Sequence, residues 1–447
     1  MDIGSPSFHI PKSLRWLLGV IAIAAFALPT STPAQSFNHP GILVSRTQLD
    51  SIKKFVAAGK EPWKNAYTKA MASPSASLSY TPKARADVEC GSYSNPDNGC
   101  SDETNDAKAA YTHALLWYLN GNKAHAQKAI QIMNAWSAVL KTHTNSNAPL
   151  QAGWAACMFP RAAEIIRYSD AGWAKGDIDK FSDMFRKAFL PIIWNGWPSA
   201  NGNWDLTMIE AMMGIGIFLD STETFNHAVS MWRQRVPAYF YLTTDGDFPH
   251  PSPGSNQNTN DKIVAYWQGQ SVFKDGLSQE TCRDFGHTQF GIASAINGAE
   301  TARLQGLDLY GEESKRLTLG LEFHADYLNG TPVPSWLCGG KLNLSNFATW
   351  EIAYNHFHNR MGKALPNTEK LIAKIRPTGA SLIVGWETLT HAGTGGAPTQ
   401  ILSASRHNQL GSPKIRIVFM DGQRILMQRP GKSGYPNWFG IDGKKQP

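Results

Sequence analysis

The chain has 447 residues, enough for one large domain or two ordinary ones with a substantial buried core. Its formal net charge of +7 would suit a polyanion-binding surface if it were spread over the body. It is not: the first 34 residues carry +1, the segment from Ala392 onward carries +6, and residues 35–391 balance to zero, which excludes a bulk electrostatic case for nucleic acid.

In chain order, Lys12 and Arg15 precede an uncharged run from Trp16 to Pro29 and small residues ending at Thr32-Pro33-Ala34. This is the pattern of a secretory signal peptide over residues 1–34, and the run is short of the roughly 20 residues of a membrane span. A signal anchor is the competing reading; the signal-peptide reading implies a secreted protein with no membrane attachment after cleavage. Export makes the five cysteines candidates for disulfides, with at least one left over. Cys90 and Cys100 bracket the loop GSYSNPDNG and are the expected pair, whereas Cys157, Cys282 and Cys338 cannot be assigned from sequence. Asn329-Gly-Thr331 and Asn343-Leu-Ser345 are glycosylation sequons, permissive for a glycoprotein, though such triplets also arise by chance.

The first helix is predicted to begin near Thr47. Residues 73–106 are rich in Ser, Pro, Gly, Asn and Asp and read as loop. From Ala107 a helical period takes over: AKAAYTHALLWYLNGN stops at Asn-Gly-Asn, and Ala129, Ile132, Met133, Trp136, Val139 and Leu140 then form one apolar stripe, predicting a helical hairpin. Further helices are expected at about 154–169, 176–190, 205–220, 223–241, 286–306, 312–328 and 346–362. DLTMIEAMMGIGIFLD is apolar nearly all round, which marks a helix buried between layers. Strand patterns are scarce before residue 380. Many hairpin-linked helices with one buried layer imply an all-α protein, an α/α toroid or incomplete α/α barrel over residues 35–391, with the groove at one end of the ring. A helical solenoid competes, but no fixed internal period supports it. Residues 392–447 form a basic extension holding β-like runs such as KIRIVFM and QRILMQR; an irregular tail is favoured over a small β-module because its apolar content is thin.

HExxH, P-loop, GxSxG and paired CxxC motifs are all absent from the sequence. No metal site is expected, because His356 and His358 stand two apart and point to different sides of a helix. Polar residues cluster instead at element ends. Asn201-Gly202-Asn203-Trp204 precedes the buried helix, where the Asn203 amide can cap the helix or reach a ligand. Gln279-Glu280-Thr281-Cys282-Arg283-Asp284-Phe285-Gly286-His287-Thr288-Gln289 would put Arg283 and His287 one turn apart if the helix includes them; pairing of Arg283 with Glu280 or Asp284 is the structural alternative. In the third cluster, Trp350, Tyr354, Phe357 and Met361 share a helical stripe, which favours Tyr354 as a core aromatic, with His356 and His358 beside it. Asp245-Gly-Asp247-Phe-Pro-His250 is a polar loop from which His250 could line a groove.

Taken in order, HPGILVSRTQLDSIK, GNKAHAQKAIQIMNAWS, NGNW, QETCRDFGHTQFGIA, LDLYGEE and WEIAYNHFHNR resemble the alginate-lyase superfamily of polysaccharide lyases over about residues 39–391. Cys282 stands where similar sequences often have Gly, and the segment beyond His391 has no counterpart. The resemblance implies β-elimination on a uronate polymer such as alginate or glucuronan, with no cofactor and with an acidic polysaccharide as partner; a monomer is expected. Such chemistry needs donors on the C6 carboxylate, a base at C5 and an acid at the leaving oxygen. By this resemblance Asn203 and Arg283 neutralise the carboxylate, His287 acts as base or neutraliser, and Tyr354 acts as the acid or as both acid and base. Trp204, His250, Glu280, Gln289 and His358 are the expected binding residues. Two other readings stay open: an α/α glycoside hydrolase using paired carboxylates such as Asp247 and Glu280, and a non-catalytic glycan-binding protein.

Overall fold

The structure is a computed structural model that describes Met1, residues 36–345 and 349–393, and the backbone of residues 416–420, 423–427 and 438–439. The signal-peptide expectation therefore falls outside the described residues. Helices α1 (Arg46–Ala57) and α2 (Trp63–Met71) open the fold, and a small sheet follows. In it β1 (Asp87–Cys90) pairs antiparallel with β2 (Asp97–Asn98) and parallel with β3 (Thr142–Thr144), so the loop read at 73–106 carries more order than expected. Between these strands lie α3 (Cys100–Asn120) and α4 (Lys123–Val139), joined as the predicted hairpin. Gly121 ends α3 in the left-handed region (φ 71), and the Asn122 side chain caps α4 by accepting from the Ala124 N–H at 3.0 Å.

The helical layers follow. They comprise α5 (Ala148–Arg167), α6 (Lys175–Met184), α7 (Leu190–Ile193), α8 (Gly202–Phe218), α9 (Thr222–Tyr239), α10 (Asn260–Tyr266), α11 (Phe285–Leu304), α12 (Leu309–Glu312) and α13 (Ser314–Leu328). A π-turn at Phe185–Phe189 joins α6 to α7. The ring is completed by α14 (Glu351–Tyr354), which continues as a π-turn over Asn355–Arg360, then α15 (Pro366–Ile375) and α16 (Glu387–His391). Helices α3, α5, α8 and α11 pack on one another in sequence to form the inner wall, with α4, α6 and α9 outside them. This explains the patterning of α8, which buries every residue but Trp204 because it touches helices on several sides. Gly216 lets α9 approach: a Cβ there would lie 2.7 Å from the Phe225 backbone nitrogen. The result is the all-α toroid anticipated from the hairpin pattern.

Among the described residues from 380 to 393, the β-character is a two-residue pairing of β4 (Ala380–Ser381) with β5 (Val384–Gly385). The chain divides into two compact units, Met1–Ile401 and Leu402–Pro447. In the second, β6 (Arg416–Met420), β7 (Gln423–Met427) and β8 (Trp438–Phe439) form an antiparallel sheet in that order, coinciding with the runs KIRIVFM and QRILMQR.

A buried ion cluster ties the end of α11 to the closing elements of the ring. Glu300 is fully buried and receives Arg303 at 2.7 Å and Arg360 at 3.1 Å, with His391 3.7 Å away. Burial alone would raise its carboxyl, but the two guanidinium groups outweigh it and hold Glu300 well below the ordinary 4.5. The stability this contributes is complete above the unfolded pKa and is lost as pH falls below it toward the folded value. Urea midpoints should therefore drop below about pH 4.5, while Glu300→Gln should lose about 3 kcal/mol at pH 7 and show a flatter acid limb.

Candidate functional site

Two chain segments meet at one end of the inner wall: the start of α8 and the loop leading into α11. Asn201 is the residue before α8, yet its side chain does not cap the helix. Instead its Oδ1 accepts from Gln279 Nε2 and Gln268 Nε2, both at 3.0 Å, so its amide faces a cavity and not the helix end. Gly202 is required next, since a Cβ would lie 2.2 Å from the Tyr239 ring. Asn203 turns the other way and is 1 % exposed. Its backbone N–H and Nδ2 donate to the two oxygens of Glu280 at 2.9 and 2.7 Å. The same buried carboxylate accepts from the Tyr239 hydroxyl at 3.1 Å and from Arg283 Nη1 at 2.9 Å. Glu280 is thus a hub that gathers these donors and aims Arg283.

Arg283 lies outside α11. The helix begins at Phe285, with Asp284 as its N-cap. Oδ1 of Asp284 accepts the His287 backbone N–H at 2.8 Å and Oδ2 contacts His287 Nδ1 at 2.6 Å. Burial pushes the Asp284 carboxyl up, but the bonds from His287 and the charge of Arg283 outweigh it and hold the group below its ordinary 3.8. An ionised carboxylate on Nδ1 selects the tautomer with hydrogen there, which leaves the Nε2 lone pair free. The His287 side chain is 36 % exposed, and its Nε2 has no partner among the described residues. The Cys282–Cys338 disulfide anchors the residue preceding Arg283 across 56 positions.

Arg283 and His287 line one cavity of about 480 Å³ together with Asn201, Trp204, Tyr266 and Gln268. Trp204 stands edge to face with Trp197, centroids 5.9 Å apart. The Tyr266 hydroxyl donates to the Ala200 carbonyl at 2.7 Å and accepts from the Arg235 guanidinium. Burial, the dominant influence, raises the Tyr266 phenol above its ordinary 10.0 despite the neighbouring Arg235, so it stays protonated at neutral pH. The opposite rim is the loop closed by the Cys90–Cys100 disulfide, where Tyr93 and Ser94 both hold φ of 53°.

The expectation of one groove around Asn203, Arg283, His287 and Tyr354 needs correction. Arg283 and His287 reach the cavity, but Asn203 sits behind it, and the amide in the cavity belongs to Asn201. Tyr354 is elsewhere: it is 6 % exposed on α14, stacked on His358 with centroids 4.6 Å apart, and absent from the cavity wall. Burial and then Glu369 push its phenol up to about 12. Of the expected binding residues, only Trp204 lines the cavity. Glu280 is fully buried. Gln289 is buried and donates to the Phe285 and Ser345 carbonyls. His250 is exposed 3.4 Å from Asp245, and His358 Nδ1 bonds the Lys363 carbonyl at 2.9 Å. Tyr266 escaped the sequence because it ends seven-residue α10, too short to show a helical period, and Gln268 because it lies in the turn beyond that helix.

The alginate lyase family model matches residues 57–252. No curated protein sequence matches the chain. Among solved structures, alginate lyase A1-III from Sphingomonas species A1 is similar with a TM-score of 0.54 at 14% identity, over 77% of this chain and 94% of that one. A tyrosine-to-phenylalanine variant of alginate lyase A1-III complexed with tetrasaccharide gives 0.54 at 15% identity, over 77% and 93%. A histidine-to-alanine variant, also complexed with tetrasaccharide, gives 0.54 at 14% identity over the same shares. At such identities these three likenesses establish the fold. The family model thus matches residues 57–252, and the three solved alginate lyases share the helical toroid of this chain.

Proposed function

We propose that the cavity around Arg283 and His287 cleaves an acidic polysaccharide, alginate first among polyuronates, by β-elimination. The observation that carries this reading is the pairing of a guanidinium with an imidazole whose Nδ1 is held by Asp284 and whose Nε2 is free in the same cavity. Arg283 and the Asn201 amide receive the C6 carboxylate, stabilising the charge that develops when the C5 proton leaves. His287 Nε2 takes that proton. The C5 electron pair forms the C4–C5 double bond as the C4–O bond breaks, and the departing oxygen takes its proton from Tyr266. Solvent then returns the proton from His287 to Tyr266. Trp204 offers a ring face to the sugar. The alginate lyases of similar fold that carry tetrasaccharide add weight to an oligosaccharide-sized site.

A hydrolase built on Asp247 and Glu280 is disfavoured, because Glu280 is sealed and committed to four donors. The proposed setting is extracellular. Two disulfides suit an oxidising compartment, and among the described residues no helix is long and apolar enough to cross a membrane. Of the two sequons, Asn343 is exposed, whereas Asn329 Nδ2 donates to the Asn367 carbonyl, which favours Asn343 as the acceptor.

The test is digestion of purified polyuronates with ultraviolet detection of the conjugated product. Alginate should yield absorbing ends; new reducing ends without absorbance would overturn the reading. Tyr266→Phe should lower kcat about a hundredfold, toward the low end for a lost general acid because solvent can reach a half-buried position, with KM little changed. Steady-state rates on alginate check this.

A further inference from the structure

A second cavity, about 420 Å³, has both cysteines of the Cys282–Cys338 bridge in its wall. Its size falls in the range of roughly 300–1,000 Å³ that accommodates small ligands. Gln268 lines both cavities, and Cys282 in the wall of the second is the chain neighbour of Arg283 in the first. The two hollows therefore share a wall residue and adjoin at the Cys282–Arg283 peptide. The floor of the second is built from buried groups. Gln270 is 4 % exposed, accepts the Cys338 N–H at 2.9 Å and donates to the Val272 and Trp336 carbonyls at 2.6 and 3.0 Å. The disulfide then fixes this layer to the Arg283 loop.

The chemistry of the rim is cationic and aromatic. Lys341 and Trp336 line the cavity, and Lys274 Nζ sits 4.3 Å from the centre of the Trp336 ring. Among the described residues neither ammonium has an ion-pair partner; the neighbouring Asp275 is committed to the Thr243 N–H and to Lys315, and Asp284 to His287. In a body that balances to zero charge, two unpaired cations beside an indole form a local site for an anion carried on a ring with an apolar face. We propose that this second cavity is a distal subsite that holds another uronate residue of the same polymer, its carboxylate on Lys341 and Lys274 and its ring against Trp336. This rests on the first cavity being the scission site. The site favours long chains by binding away from the reacting sugar.

The experiment uses the full chain with alginate trisaccharide and octasaccharide, comparing wild type with Lys341→Ala and Trp336→Ala. Each substitution should lower the ratio of kcat/KM for octasaccharide over trisaccharide about fivefold, the scale of one exposed charge or ring contact. An unchanged ratio in both variants, with turnover intact, overturns the proposal. A parallel measurement, tryptophan fluorescence on titration with octasaccharide, separates this failure from that of the lyase reading. Saturable quenching in wild type that weakens in Trp336→Ala, without turnover of any polyuronate, would uphold anion binding here while removing elimination. Quenching unaffected by either substitution would overturn the subsite even where the enzyme is active.

Discussion

Replacing His287 with alanine should lower kcat on alginate about a thousandfold, some 4 kcal/mol, while KM changes little and the protein stays folded. The reason is positional. Asp284 fixes the ring through Nδ1 at 2.6 Å, so Nε2 is the one exposed basic atom that the described geometry holds beside Arg283. The helix does not depend on the imidazole, because Asp284 caps it through the His287 backbone N–H, which alanine retains. Thermal unfolding should therefore shift by only a small amount. Loss of activity of less than about threefold, in a protein with an intact melting curve, would remove His287 from proton transfer.

Arg283→Ala should lower kcat/KM by about two to three orders of magnitude, the scale of removing one preorganised donor from a developing oxyanion. Its loss also withdraws a donor from buried Glu280, but the Asn203 N–H, the Asn203 amide and the Tyr239 hydroxyl remain. Stability should fall by about 1–2 kcal/mol without unfolding. Arg283→Lys should recover the charge but not the paired donors, and so restore only part of the rate. Asn203→Ala acts through the same hub: it should impair turnover by letting Glu280 and Arg283 shift, and less severely than loss of Arg283 itself. Steady-state kinetics beside urea denaturation separates these cases. Equal rates in wild type and Arg283→Ala would show that the carboxylate is met elsewhere.

The parts of this molecule that were legible from sequence are those written in local chemistry. The Asn-Gly-Asn stop predicts the α3–α4 turn, and the apolar composition of residues 205–220 predicts a helix touched on several sides. The disulfide across the GSYSNPDNG loop follows from ten-residue spacing. The site is written at longer range. Asn201 and Asn203 are nearly equivalent in sequence, and what sends one outward and the other inward is Glu280, 77 residues from Asn203, together with the Gln279 side chain. The Cys282–Cys338 bridge spans 56 residues and has no local signature. For Tyr354, its stripe with Trp350 and Phe357 pointed to the core, as the structure places it, while the family resemblance pulled it toward catalysis. A local signal did exist for the imidazole. Asp284 stands three residues before His287 at a helix start, which is a capping position, and here the cap also holds the ring.

The most direct test of elimination is the mass of the products that the wild-type chain makes from alginate in heavy-oxygen water, read before the reducing ends exchange their oxygen with solvent. Elimination breaks the C4–O bond without adding water, so the new ends should be unsaturated and free of the heavy isotope. Saturated products carrying heavy oxygen at their new reducing ends would show hydrolysis and contradict the account.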